Sequence, residues 1–263
     1  DRIGVADWNT MAGVVRIHSE AATAQLTPVI GTRIVLVSGD QFLAYPINRA
    51  AYGRLCALIS KGRNRTLDGA WQDKGACDIS LNDLADHSAG VQLIALPDDV
   101  DDFAKRLPHL IRRLPTLKHI AASYLYRGDD VARITRLDRL AGQHGLRLLA
   151  TNDVLYHAPE RRALQDVMTC IREKKTIQTA GHLLEPNAER HLKSPDEMCR
   201  LFAQWPDAIK QTLVVAKACQ FSLKELKYEY PHEVIPQGRS SIEQLRLNTM
   251  AGAARRYPDG IPD

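Results

Sequence analysis

Over roughly the first 180 residues, short continuous apolar runs alternate with stretches of helical spacing. The runs Ile3–Ala6, Val29–Val37, Phe42–Tyr45, Val91–Leu96, Leu117–Leu125 and Leu146–Ala150 predict strands. Between them, Tyr52, Leu55, Cys56 and Ile59 fall on one helical face behind an Asn48 cap. Val131, Ile134, Leu137 and Leu140 or Ala141 form a second stripe, and Gly145 is placed to end that helix in the left-handed conformation. Leu164, Val167, Met168 and Ile171 form a third stripe. Apolar strands alternating with helices predict an α/β fold with a mostly parallel sheet covered by helices. An open doubly wound sheet and a barrel both satisfy that pattern, and periodicity does not choose between them.

After about residue 185 the pattern changes to helices alone. Ser194-Pro195-Asp196-Glu197 reads as a capping box with proline at the first helical position. Pro206 to Phe221 predicts a second helix with Ile209, Leu213 and Ala216 inward and Val215 beside them, and Ser240 to Arg256 predicts a third. The expected division is a β/α unit over 1–185 and a helical extension over 186–263, ending in the turn-rich Pro258–Asp263. Gly62 to Gly75, with Lys61, Arg63 and Arg65, reads as a polar surface loop. The chain opens at Asp1 without a methionine, and Ile3-Gly4-Val5-Ala6 already reads as a buried strand, so a segment upstream is expected.

Composition narrows the class. The 263 residues are 44% apolar and 25% charged, the profile of an ordinary globular protein. No apolar run approaches the roughly 18 residues of a membrane-spanning helix. No charged-then-apolar leader stands at the start. The net charge of +4 permits contact with nucleic acid without forming a dense basic face. Cys56, Cys77, Cys170, Cys199 and Cys219 are scattered with no C-x-x-C pair, which points to reduced thiols in a cytoplasmic protein rather than disulfides or zinc.

Phosphate-binding loops, dinucleotide fingerprints, H-E-x-x-H and G-x-S-x-G are not found in the sequence. The histidines occur singly, and His182 and His191 are nine residues apart across a polar segment. Two carboxylates stand out by position. Asp7 follows the first strand and Asp153 the last, where barrels and open α/β sheets place their sites. Aspartates at such places also cap the helix that follows, so both readings stay open.

Ordered blocks of this sequence resemble a known family. Gly4-Val5-Ala6-Asp7-Trp8-Asn9-Thr10-Met11-Ala12-Gly13 is similar to the second strand and helix of a PHP (polymerase and histidinol phosphatase) domain. Leu43-Ala44-Tyr45-Pro46-Ile47-Asn48-Arg49-Ala50-Ala51-Tyr52 resembles the third-strand region of the version fused to bacterial DNA polymerase III alpha subunits. Leu149 to His157, Leu164 to Arg172, Asn187 to Lys193 and Tyr228-Glu229-Tyr230-Pro231 extend the likeness over essentially the whole chain. Together they are most similar to the error-prone, lesion-tolerant branch of those polymerases. The resemblance implies a distorted seven-stranded β/α barrel, its first strand missing here, with a multinuclear metal site at the carboxyl ends of the strands. It also implies a helical segment leading towards a polymerase palm.

The departures from the family pattern concern the metal ligands. Such ligands must bring lone pairs within about 2.0–2.2 Å of each ion. Where the family has an Asp-His pair, this sequence has Asp7-Trp8, followed by Asn9, and an indole nitrogen donates but does not ligate. Where a glutamate would follow Ile30-Gly31, Thr32-Arg33 stands. A ligand histidine before the third-strand block would align near Gln41 or Phe42, and the last Asp-x-His reads Asp153-Val154-Leu155. Asp7 and Asp153 remain, with His157 as a substitute nitrogen or an outward residue at a helix start. No cofactor is expected. Any metal, zinc or manganese, would rest on Asp7, Asp153 and His157.

The expected function is therefore a structural module that braces the rest of the polymerase chain, with no membrane contact and with DNA as a partner of the whole protein. Arg161, Arg162, Arg172, Lys174 and Lys175 cluster around one helix as candidate phosphate contacts or as a solvated face. Two readings from other classes remain: a metal-dependent phosphoesterase or 3′–5′ exonuclease, and a free-standing interaction domain. Arg33 beside Asp7 or Asp153 would form an ion pair in place of a metal.

Overall fold

A computed structural model describes residues 2–227 and 235–260. The block Tyr228-Glu229-Tyr230-Pro231 and the last three residues lie outside the described residues. Asp1–Glu225 forms one compact unit and Leu226–Asp263 another.

All six expected strands form: β1 (Arg2–Trp8), β2 (Thr27–Val35), β3 (Gln41–Pro46), β4 (Val91–Ala95), β5 (Leu117–Ala122) and β6 (Arg147–Ala150). They lie side by side in chain order in one sheet. The sheet curls through 183° into an open, distorted half-barrel. The helices of the first unit are α1 (Val14–Thr23), α2 (Arg49–Asn64), α3 (Leu81–His87), α4 (Val100–Arg113), α5 (Asp130–Gln143), α6 (Arg162–Arg172), α7 (Ile177–Ala180), α8 (Pro195–Leu201) and α9 (Pro206–Ala218). The second unit holds α10 (Ser241–Arg256), opened by a capping box between Ser240 and Glu243.

The sheet is mixed. β3 runs antiparallel to both β2 and β4, and the other pairings are parallel. The cause is local: only Leu36 to Asp40 separate β2 from β3, far too few residues for a crossover. That turn closes through Gly39 at φ +87°, with Leu36 donating to the Asp40 carbonyl.

Several local expectations hold. Asn48 accepts from the Ala51 amide at the start of α2, whose buried face includes Leu55 and Ile59. Ile134, Leu137, Leu140 and Ala141 turn inward from α5 while Val131 of the same stripe is exposed, and Gly145 adopts φ +68°. Ser194 accepts from the Glu197 amide, but the reciprocal half of the capping box is not formed because the Glu197 carboxylate turns to Arg200.

The two faces of the sheet bury different sets. One packs Ile34, Phe42, Ala44 and Leu93 against α2, α4 and α5. The concave face carries Val29, Tyr45, Ile94, Ala121 and Leu149, and α9 fills it with Val215, Ala216 and Cys219. α8 and α9 pack into these cores, and the compact units part between Glu225 and Leu226. Gly31 is where Tyr45 lies across the strand: a Cβ there would stand 2.4 Å from the Tyr45 ring and 2.8 Å from the Ala44 carbonyl.

In α9 one residue of the expected stripe faces otherwise, and in α6 the whole stripe does. In α9, Val215 is buried and Ile209 and Ala216 pack against the core as expected, while Leu213 is exposed. In α6, Leu164, Val167, Met168 and Ile171 all face solvent, and Thr169 and Cys170 are the buried residues. The helix docks through its polar side, with Arg162 paired to Asp166 along that edge.

Candidate strand-end site

Strand pairing sets which residues share a face. Trp8 pairs with Arg33 and Asp7 with Thr32, so Trp8 and Arg33 point to one side and Asp7 to the other. Asp7 lies exposed beside the start of α1, where its Oδ2 is 2.5 Å from the place a Cβ would occupy at Gly13. The two aspartates singled out from the sequence therefore do not converge.

Asn9 prolongs β1 in a left-handed conformation, φ +48°, which a short polar side chain tolerates. Its amide donates to the Arg33 carbonyl at 2.8 Å, and its side chain both accepts from and donates to the Val35 backbone. This side chain acts as one more rung of the ladder and fixes the end of β2 that carries Arg33.

Arg33 is 6% exposed. Its Nη1 donates to both oxygens of Asp153, at 2.8 and 3.0 Å, and its Nε donates to Gln41 Oε1 at 2.8 Å. The guanidinium carbon lies 4.4 Å from the centre of the Trp8 ring, a cation–π contact. Gln41 in turn donates to Asp98. Arg33 thus joins Trp8 and Gln41, and these residues stand at or beside positions where the resemblance expects metal ligands.

Asp153 takes a second guanidinium. Arg190 donates to its Oδ2 and, through Nε, to its backbone carbonyl at 2.8 Å. Arg190 also pairs with Glu185, which reaches Arg127. Asp153 itself is left-handed, φ +43°, an uncommon conformation held by these contacts on both sides. Asn152 anchors the same turn by donating to the Glu189 and His191 carbonyls. Below, on the concave face, burial pushes the Tyr45 hydroxyl well above its ordinary range, with Cys219 and Asp153 adding to the shift, so it stays neutral beside the charged cluster. The Cys219 thiol is likewise pushed up to about 11 by burial.

The remaining sequence candidates scatter. Leu155 is half-buried and contributes its amide to the Arg190 carbonyl, and His157 is exposed. Among the candidate phosphate contacts, Arg162 donates to the Glu185 carbonyl and Arg172 pairs with Glu173, while Arg161, Lys174 and Lys175 stay exposed. Arg190 and Glu185 were not singled out from the sequence. Arg190 lies within the Asn187–Lys193 block of the resemblance, the one signal that pointed to it. Among the described residues, no group of three or more His, Cys, Asp or Glu side chains gathers closely enough to hold a metal.

No protein-family model matches the chain. Curated relatives do. An error-prone DNA polymerase of Rhodopseudomonas palustris is 46% identical over 272 residues, taking in 100% of this chain and 24% of that protein. Error-prone DNA polymerases of Caulobacter vibrioides and Brucella abortus are each 42% identical, over 98% and 99% of this chain and 24% of theirs. The chain thus spans about a quarter of the length of the curated relatives it matches. An amidohydrolase structure from Chromobacterium violaceum aligns with 57% of this chain and 75% of its own at 11% identity and a TM-score of 0.43, too slight a likeness to argue from.

Proposed function

This chain belongs to the error-prone DNA polymerase family, of which it forms a PHP-like domain, and we propose that it serves there as a structural brace with no catalysis of its own. One observation carries the reading: the carboxylate of Asp153 is held by Arg33 and Arg190 where the family pattern calls for metal ligands. The side chains present do not suit an ion. Both Asp153 oxygens already accept from guanidinium groups, Trp8 and Leu155 offer no lone pair for ligation, and Asp7 faces away. Zinc or manganese therefore has no role at this site in the proposal. Two-metal phosphoester hydrolysis needs a cluster of ligands that these residues replace with ion pairs.

What the brace supports is the rest of the polymerase chain. α6 presents Leu164, Val167, Met168 and Ile171 to solvent on one helical face, and Ile177 and Leu183 are exposed in the segment that follows. The relatives extend to about four times this length, so the occupant proposed for that face is another part of the same chain. DNA is met by the whole polymerase, in the cytoplasm, where five free thiols are at home. No helix among the described residues is long and apolar enough to cross a membrane.

The test is thermal. Melting of the chain in manganese, in zinc and in chelator should coincide, and Arg33→Met should melt well below the parent. A melting temperature raised by metal, or unchanged by Arg33→Met, overturns the proposal.

A further inference from the structure

The geometry points to a second functional surface: the loop after α2 is a stacking platform for single-stranded nucleic acid, built on Trp71 and Arg65. This surface lies outside the Arg33 cluster, and the inference does not depend on the brace reading. Arg65 and Trp71 face each other in a short antiparallel bridge. The loop between them is closed by Thr66 donating to the Ala70 carbonyl and Gly69 donating to that of Thr66, both at 3.0 Å. Gln72 donates back to Asn64 at 3.1 Å. The guanidinium carbon of Arg65 sits 3.8 Å from the centre of the Trp71 ring. Yet Trp71 is 75% exposed, so a large indole backed by a cation on one side keeps most of its surface in water.

Bases stack on such a surface with little loss of freedom, because ring and backing cation are already fixed. Arg63, Arg65 and Lys74 are exposed, and none of them joins an ion pair among the described residues. They supply the phosphate contacts. Asp68 and Asp73 lie in the same loop and hold the affinity down, and the Asp68 carboxylate is occupied by Thr66. Arg63 donates to the Asn9 carbonyl at 2.8 Å, which ties the loop to the end of β1 beside Trp8. Trp8 is 52% exposed and also backed by a guanidinium, so the strand ends and this loop present two such rings.

Single-stranded nucleic acid fits better than a protein partner. An apolar docking patch would be contiguous, whereas in this loop Leu67 is the only other exposed large apolar side chain and charges flank it. It also fits better than duplex, whose bases are already stacked and offer no free ring face.

Fluorescence anisotropy of a labelled oligothymidylate against this chain at low salt tests the assignment. Single strand should bind, and a duplex of the same length should bind several-fold more weakly. Trp71→Leu should weaken binding about tenfold, the loss of one stacking contact, while Trp71→Phe keeps most of it. If Trp71→Leu lowers the melting temperature, Lys74→Glu on the exposed rim carries the test, with a several-fold loss expected. No binding by the parent chain, equal binding of duplex, or unchanged affinity in a folded Trp71→Leu or in Lys74→Glu overturns the proposal.

Discussion

Arg33 over Trp8 and Arg65 over Trp71 are the same contact in two settings, at 4.4 and 3.8 Å from ring centre. Arg33 is buried, with donors spent on Gln41 and on both oxygens of Asp153. Arg65 is exposed, and among the described residues its guanidinium makes one hydrogen bond, of 3.3 Å, to the Gly69 carbonyl. The difference shows how burial decides the use of a pair. A guanidinium sealed against a carboxylate and an amide ties strand ends together, and removing it takes away one of the two guanidinium partners of Asp153. An open guanidinium contributes little to stability and leaves its donors and its ring for a ligand.

Substitutions should separate the two settings widely. Arg33→Met removes one of the two guanidinium partners of a carboxylate that is three-quarters covered, and should cost about 3 kcal/mol in denaturant unfolding, the low end for a broken buried pair because Arg190 still holds Asp153. Arg33→Lys should recover part of that, since an ammonium keeps the charge but not the fork that spans Gln41 and Asp153. A lysine variant no better than methionine would mean that charge is not what matters there. Gly31→Ala, on the same strand, should cost about 1–3 kcal/mol because its Cβ meets the Tyr45 ring and a backbone carbonyl. A neutral result would show that Tyr45 yields easily.

Acid should act on the concave face before it acts on the loop. Burial holds the His119 imidazole below its ordinary value of 6.5, against a hydrogen bond to Gln211 that acts the other way. The unfolded chain therefore binds that proton first. The contribution is complete above about pH 6.5 and is lost as pH falls through that value. His119→Gln should flatten the acid limb of the stability profile, and an unaltered limb would assign it to other groups. Arg65→Gln should have the smallest effect, within about 0.5 kcal/mol, as expected for an exposed pair. A larger loss would place Arg65 among the structural residues with Arg33.

The strands were legible because continuous apolar runs bounded by turns leave few alternatives. The direction of β3 was not read from periodicity, although the five-residue link from Leu36 to Asp40 carried it. The stripe on α6 was visible, but a stripe says that a helix has two faces and not which one the fold buries. Leu213 in α9 misled for the same reason, since that helix packs against two clusters from different sides. That Arg33 would meet either Asp7 or Asp153 followed from aligning all three with the family's ligand positions, and strand pairing, not the sequence, chooses Asp153. Arg190 could not be reached that way: it lies 37 residues beyond Asp153 and arrives only because Asn152 and the 185–193 segment fold back together.

If ion pairs stand where the family's metal ligands would, the purified chain carries little metal. Its metal content by mass spectrometry, with no chelator used at any step, decides this. Far less than one equivalent of any transition metal is expected. One equivalent or more of zinc or manganese, lost on Asp153→Asn, would contradict it.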